Sequence, residues 1–70
     1  METVPGTDIE KPIVTGPIDG NAFAIMGIVR KALRMAKVPK EVIDKYLAQA
    51  TSGDYNHLLA ISQNYVEFDL

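Results

Sequence analysis

The chain has no cysteine and no tryptophan, and only one histidine. Without cysteine there is no disulfide and no thiolate metal site, and cysteine usage says nothing of the redox compartment. With His57 standing alone, a structural zinc site within one chain is not expected. No apolar run approaches the ~20 residues that a membrane span needs. The start, METVPGTDIE, lacks the basic opening and apolar middle of a signal peptide. A cytoplasmic location is the resulting expectation. Glycine-rich loops of the P-loop or dinucleotide type are missing too. Asp19-Gly20-Asn21 looks faintly like a calcium loop, but the twelfth position would be Arg30 where a bidentate glutamate is needed. No cofactor, metal or catalytic residue is assigned.

Excess positive charge is also lacking. Seven basic residues face nine acidic ones, for a net charge of −2. That balance argues against a dedicated nucleic-acid binder while leaving room for a local basic patch. Seventy residues make one domain, and a chain this short buries only about 60% of its unfolded surface. With no covalent staple, stability has to come from tight helix packing or from association.

What the chain does have is one long amphipathic stretch, Asn21 to Lys37. At ~100° per residue, Ala22, Ile25, Met26, Ile28, Val29, Ala32, Leu33, Met35 and Ala36 cover an apolar arc of roughly 200°. An ordinary surface helix needs a stripe little wider than ~100°. A helix this greasy should be gripped on two sides, at the centre of a small bundle or also against a second chain. Gly27, Arg30, Lys31, Arg34 and Lys37 fill the other arc, which carries no acid. Phe23 falls on that basic side, either packed under the amino-terminal segment or exposed for a partner. Gly27 costs about 1 kcal/mol relative to alanine. Close approach of a neighbouring backbone would explain it, as would a flat spot for a ligand beside Arg30, Arg34 and Phe23.

The remaining segments fall into place around this helix. Pro5, Pro12 and Pro17 with Gly6 and Gly16 forbid a continuous helix over residues 1–18. Residues 1–8 are expected to be mobile and Ile9–Ile18 to lie extended, with a short edge strand near Pro12. Asn21 or Asp19 can cap the first helix. Val38-Pro39 ends it and starts a second at Pro39, with proline at the first helical position. Val42, Ile43, Tyr46, Leu47 and Ala50 form the inner face of that second helix, and Glu41 can pair with Lys45. Gly53 is expected to end it in left-handed angles, and Asp54 to cap a third helix. Tyr55, Leu58, Leu59, Ile61, Ser62, Tyr65 and Val66 make the inner face of the third. The tail Val66-Glu67-Phe68-Asp69-Leu70 alternates as a strand would, and could pair with Ile9–Val14 or continue the helix. The three tyrosines, Met26 and Met35 read as core.

The fold class is therefore all-α, a small three-helix bundle over about 20–37, 39–51 and 54–66. An extended amino-terminal arm (1–18) precedes the helical domain (19–70), and a short strand pairing of arm with tail is an open alternative. Ser52, Asp54 and His57 invite a catalytic story, but helix-initiating chemistry explains Ser52 and Asp54 completely. A 70-residue bundle also has little room for an enclosed pocket, so an enzyme is not expected. The third helix has neither Lys nor Arg, which discounts a DNA-reading helix-turn-helix. An aromatic stacking surface for bases, made by Tyr46, Tyr55 and Tyr65, ranks below core packing.

Three stretches, Pro17–Gly27 (PIDGNAFAIMG), Val38–Glu41 (VPKE) and Ala50–Leu59 (ATSGDYNHLL), resemble a group of small bacterial and phage-associated proteins with the same order of motifs. The resemblance covers about residues 17 to 60 and implies no activity, cofactor or catalytic residue. The expected function is a non-enzymatic protein-interaction module that meets an unidentified protein or a second copy of itself, with no membrane role. Its candidate face is Phe23, Gly27, Arg30, Lys31, Arg34 and Lys37. The alternative is nucleic-acid backbone binding through the same basic face. A solvated face neutralised by Glu67, Asp69 and the terminal carboxylate is the plainer account.

Overall fold

The apolar arc of the first helix organises the molecule. In a computed structural model, which describes residues 2–16 and 20–69, the order is β1 (Ile13–Thr15), α1 (Ala22–Met35), α2 (Lys40–Ala50), α3 (Tyr55–Tyr65) and β2 (Glu67–Asp69). Ile25, Val29 and Leu33 of α1 are buried, and α1 touches α2, α3 and β1. The expected grip on two sides is present and comes from within the chain. Ala22, Met26, Ile28, Ala32 and Ala36 pack against the same core. Met35 does not. It is 74% exposed, which corrects its reading as core filler.

The three-helix arrangement is as expected, whereas the all-α class holds only in part. β1 and β2 pair in parallel, Ile13 with Glu67, Val14 with Phe68 and Thr15 with Asp69. Parallel strands need a long crossover, and here all three helices supply it. Val14 is the buried residue of β1, and Phe68 is half-buried between exposed Glu67 and Asp69. The alternation of the tail is thus strand, not helix. The Pro12 carbonyl accepts from the Glu67 N–H at 2.9 Å, so proline sits beside the ladder where its missing N–H does no harm. Ile18, Asp19 and Leu70, which figured in the expectations for burial, capping and tail, lie outside the described residues.

The arm holds more structure than expected. Thr3 bridges Glu10 in antiparallel fashion, and the Val4 N–H donates to Ile9 O at 2.8 Å. Thr7 N–H closes a turn onto Val4 O at 3.0 Å, with Pro5 second and Gly6 third at φ 81°. Proline followed by a residue of positive φ is the chemistry of a type II turn. Val4 is carried to full burial, 0% exposed, within the stretch expected to be mobile. The Lys11 ammonium reaches the Gln63 carbonyl in the last turn of α3 at 2.6 Å, where a cation suits the helix dipole.

Helix ends follow local chemistry with two departures. The Asn21 side chain accepts from Phe23 N–H and that of Asp54 from His57 N–H. Pro39 sits at the N-cap of α2, one residue before its start. Gly53 does not adopt positive φ; Lys37 does, at 65°. Around Lys37, Val38 N–H donates to Leu33 O and Lys37 N–H to Arg34 O, each at 3.0 Å. These are the two bonds of a Schellman ending, with buried Val38 and Leu33 as its apolar contact. On α2 the ion pair is Lys40 with Asp44, at 4.0 Å, not Glu41 with Lys45.

Tyr46 and Ser62 share a hydrogen bond of 2.7 Å in the core, both 0% exposed. The Tyr65 ring meets Tyr46 edge-on at 5.1 Å, and its hydroxyl donates to Gln49 Oε1 at 3.0 Å. Tyr55 departs from the inner-face expectation. It is 43% exposed, and its hydroxyl donates to Gly20 O at 2.6 Å, pinning the start of α3 to the approach to α1.

These contacts generate three predictions. A non-glycine residue in left-handed angles costs about 1–2 kcal/mol. Lys37→Gly should therefore raise unfolding free energy by about 0.5–1 kcal/mol in urea titration, and a decrease would exclude the Schellman ending. Tyr46→Phe should cost about 1–3 kcal/mol by stranding Ser62, whereas Tyr46→Phe/Ser62→Ala should recover most of it. Burial raises the Tyr46 hydroxyl above its ordinary 10.0, with the Ser62 hydrogen bond opposing and Tyr65 adding; burial raises Tyr65 too. A raised folded pKa means stability present below pH 10 and lost as pH climbs through the folded value. The melting temperature of wild type should fall above pH 10, and less steeply in the double variant.

Candidate interaction face

The exposed side of α1 is built from residues that the burial of Ile25, Val29 and Leu33 turns outward. Phe23 is 81% exposed, which resolves its two readings in favour of exposure. Gly27, Arg30, Lys31 and Arg34 are exposed as well. A Cβ built on Gly27 would meet no atom within 4 Å. The close-approach explanation of Gly27 therefore falls, and the flat spot on the helix surface is what remains.

Three shallow depressions meet on this face. Phe23, Met26, Gly27 and Arg30 of α1 line one together with Leu47 and Thr51. Arg30, Arg34, Val38, Lys40, Ile43, Asp44 and Leu47 line the next. A third, on the outer flank of α1, is lined by Gly27, Arg30, Lys31, Arg34 and Met35. Arg30 and Leu47 are shared by the first two, which join into one furrow between α1 and α2. Buried Val38 and Ile43 and half-buried Met26 and Leu47 make its floor apolar. Five of the six residues expected on the face are brought together. Lys37 is not among the lining residues; its backbone role in the helix ending places it past the furrow.

The charge on this face is unneutralised among the described residues. The ion pairs found there are Lys11 with Glu2 and Lys40 with Asp44, and neither involves Arg30, Lys31 or Arg34. β2, which bears Glu67 and Asp69, packs on β1 and α3 and does not reach α1. Those two acids therefore do not serve the expected neutralisation.

Sequence reasoning missed Met35, Leu47, Thr51 and Asp44 as parts of the face. Leu47 and Asp44 belong to α2 and Thr51 is its C-cap; all three join the face only by tertiary packing. Leu47 was legible as apolar, but nothing in the chain's periodicity said that it would line an open furrow.

The Ser52–Asp54–His57 group has a definite geometry. His57 Nε2 lies 2.9 Å from the Gln49 carbonyl and 3.1 Å from Ser52 Oγ. A carbonyl only accepts, so Nε2 carries a proton and cannot take one from Ser52. Ser52 Oγ itself donates to Gln49 O at 2.7 Å. The Asp54 carboxylate holds the His57 backbone N–H at 2.9 Å rather than the ring. Together the three residues finish α2 and start α3. Gly53 is required for a different reason from the one expected: a Cβ there would come 2.7 Å from His57 Cγ.

No group of three or more metal-ligating side chains occurs among the described residues, and no helix among them is long and apolar enough to cross a membrane. Comparison with family models, curated proteins and solved structures returns no match.

Since nothing stands over Gly27, Gly27→Ala should stabilise α1 by about 1 kcal/mol through helix propensity alone. A loss of melting temperature in that variant would mean that a neighbour does approach the backbone.

Proposed function

We propose that the protein is a small non-enzymatic interaction module that meets a protein partner through the outer face of α1. One observation carries this reading: Phe23, 81% exposed, stands on the same helix face as Arg30, Lys31 and Arg34, whose charges lack ion-pair partners among the described residues. An exposed aromatic with arginines beside it has the composition of interface anchors. It gains nothing for folding by lying in water.

Self-association drew its motive from the width of the apolar arc. That arc is occupied by α2, α3 and β1, so a second copy is no longer needed to cover it. Nucleic-acid backbone binding is the second reading, favoured by the same unpaired cations. The chain's net charge of −2 and Asp44 at the furrow weigh against it.

The test compares proteins retained from cell extract by wild type, by Arg30→Glu/Arg34→Glu and by Lys45→Glu, a charge change on exposed α2 surface away from the furrow. Wild type and Lys45→Glu should retain a common protein that the double variant loses. Identical retention by all three, together with a strict monomer in light scattering across a concentration series, would remove the reading.

A further inference from the structure

We infer that the furrow between α1 and α2 seats an acidic amphipathic helix, with apolar side chains on its floor and carboxylates toward Arg30 and Arg34. The inference rests on the reading above that this face is an interface, and it assigns the partner's chemistry.

Shape comes first. The furrow runs beside α1 from Phe23 to Arg34, which at 1.5 Å per residue is about 16 Å. That length takes about three turns of helix, enough for apolar anchors at i, i+3 or i+4, and i+7. The floor supplies Met26 and Leu47 near the Phe23 end, and Val38 and Ile43 near the Arg34 end. Each pair is within reach of a different anchor. Met26 adds a side chain that adapts to irregular partners.

Charge then selects among occupants. α1 has no Asp or Glu, and the one acid lining the furrow, Asp44, lies 4.0 Å from Lys40. The α1 wall therefore carries only positive charge, at Arg30 and Arg34 beyond the apolar Phe23 end, and calls for carboxylates there. A second copy presenting this face about a two-fold axis would set arginines against arginines. A nucleic-acid backbone would satisfy the arginines but leave the apolar floor uncovered and set phosphates near Asp44. An acidic amphipathic helix satisfies floor and wall together.

The probe is a fluorescent stapled helical peptide of about three turns, with leucines at i, i+3 and i+7 and glutamates flanking them. Its controls carry lysine for glutamate, or serine for leucine, and a short DNA duplex and a single-stranded RNA complete the set. Fluorescence anisotropy should show saturable binding of the acidic leucine peptide, with each control peptide about tenfold weaker or more. Arg30→Glu/Arg34→Glu and Phe23→Ser should each weaken it by a similar factor. These side chains are exposed, and circular dichroism melts should confirm intact folds.

Equal binding of the serine peptide would reduce the site to charge alone and overturn the inference. So would tight, salt-sensitive binding of DNA or RNA with no binding of the acidic peptide. If extract partners are lost with Arg30→Glu/Arg34→Glu but are not displaced by the peptide, the interface reading stands and the assigned partner chemistry is wrong. If no partner is lost, the interface reading itself fails.

Discussion

Burial of Ile25, Val29 and Leu33 against neighbours on both flanks is the constraint on which the rest of the molecule depends. Each such side chain contributes about 1.5–3 kcal/mol when taken from water, and this chain has no disulfide to supplement them. α2 and α3 cover α1 from the carboxy-terminal side of the chain, while β1 and the arm cover it from the amino-terminal side. Val4 and Val14 are core residues as much as Leu58 and Tyr65 are. The arm thus completes a core that three short helices leave thin.

Orienting α1 by its apolar side dictates what faces outward. Phe23 and the arginines cannot be buried without exposing Ile25 or Val29, so the basic face is a geometric consequence of the core. Gly27 sits on that face with open space above it. The concavity is less direct: α2 must lie alongside α1, so that Leu47 lines one depression with Met26 and Ile43 lines the next with Val38. A helix face alone is convex, and a second helix is needed to turn it into a furrow.

Polar chemistry inside the molecule serves connection. His57, Ser52 and Gln49 O finish α2, Tyr55 ties Gly20 to α3, and Tyr46 with Ser62 satisfies two buried hydroxyls at once. No buried side-chain polar atom is left without a partner among the described residues, as a small core requires when each orphan costs about 1–3 kcal/mol. A Ser–His contact of 3.1 Å invites a catalytic interpretation until the carbonyl on the same nitrogen is considered.

The sequence by itself determined the helices, the Asp54 cap and the basic face, and it narrowed the first cap to Asn21 or Asp19 and the tail to a strand or a continued helix. All of these rest on periodicity or on contacts within a few residues. The folded structure alone decided that Met35 is left outside, that Val4 is inside, and that Lys37 rather than Gly53 takes left-handed angles. It also decided that Gly53 yields space to the His57 ring, that the strands run parallel and that Leu47 lines a furrow. Met35, Val4, the strand direction and Leu47 depend on where a distant element comes to rest, and an arc drawn on one helix cannot say which part of its rim a neighbour will reach. Lys37 and Gly53 turn instead on bonds and contacts within five residues whose geometry residue type alone does not fix.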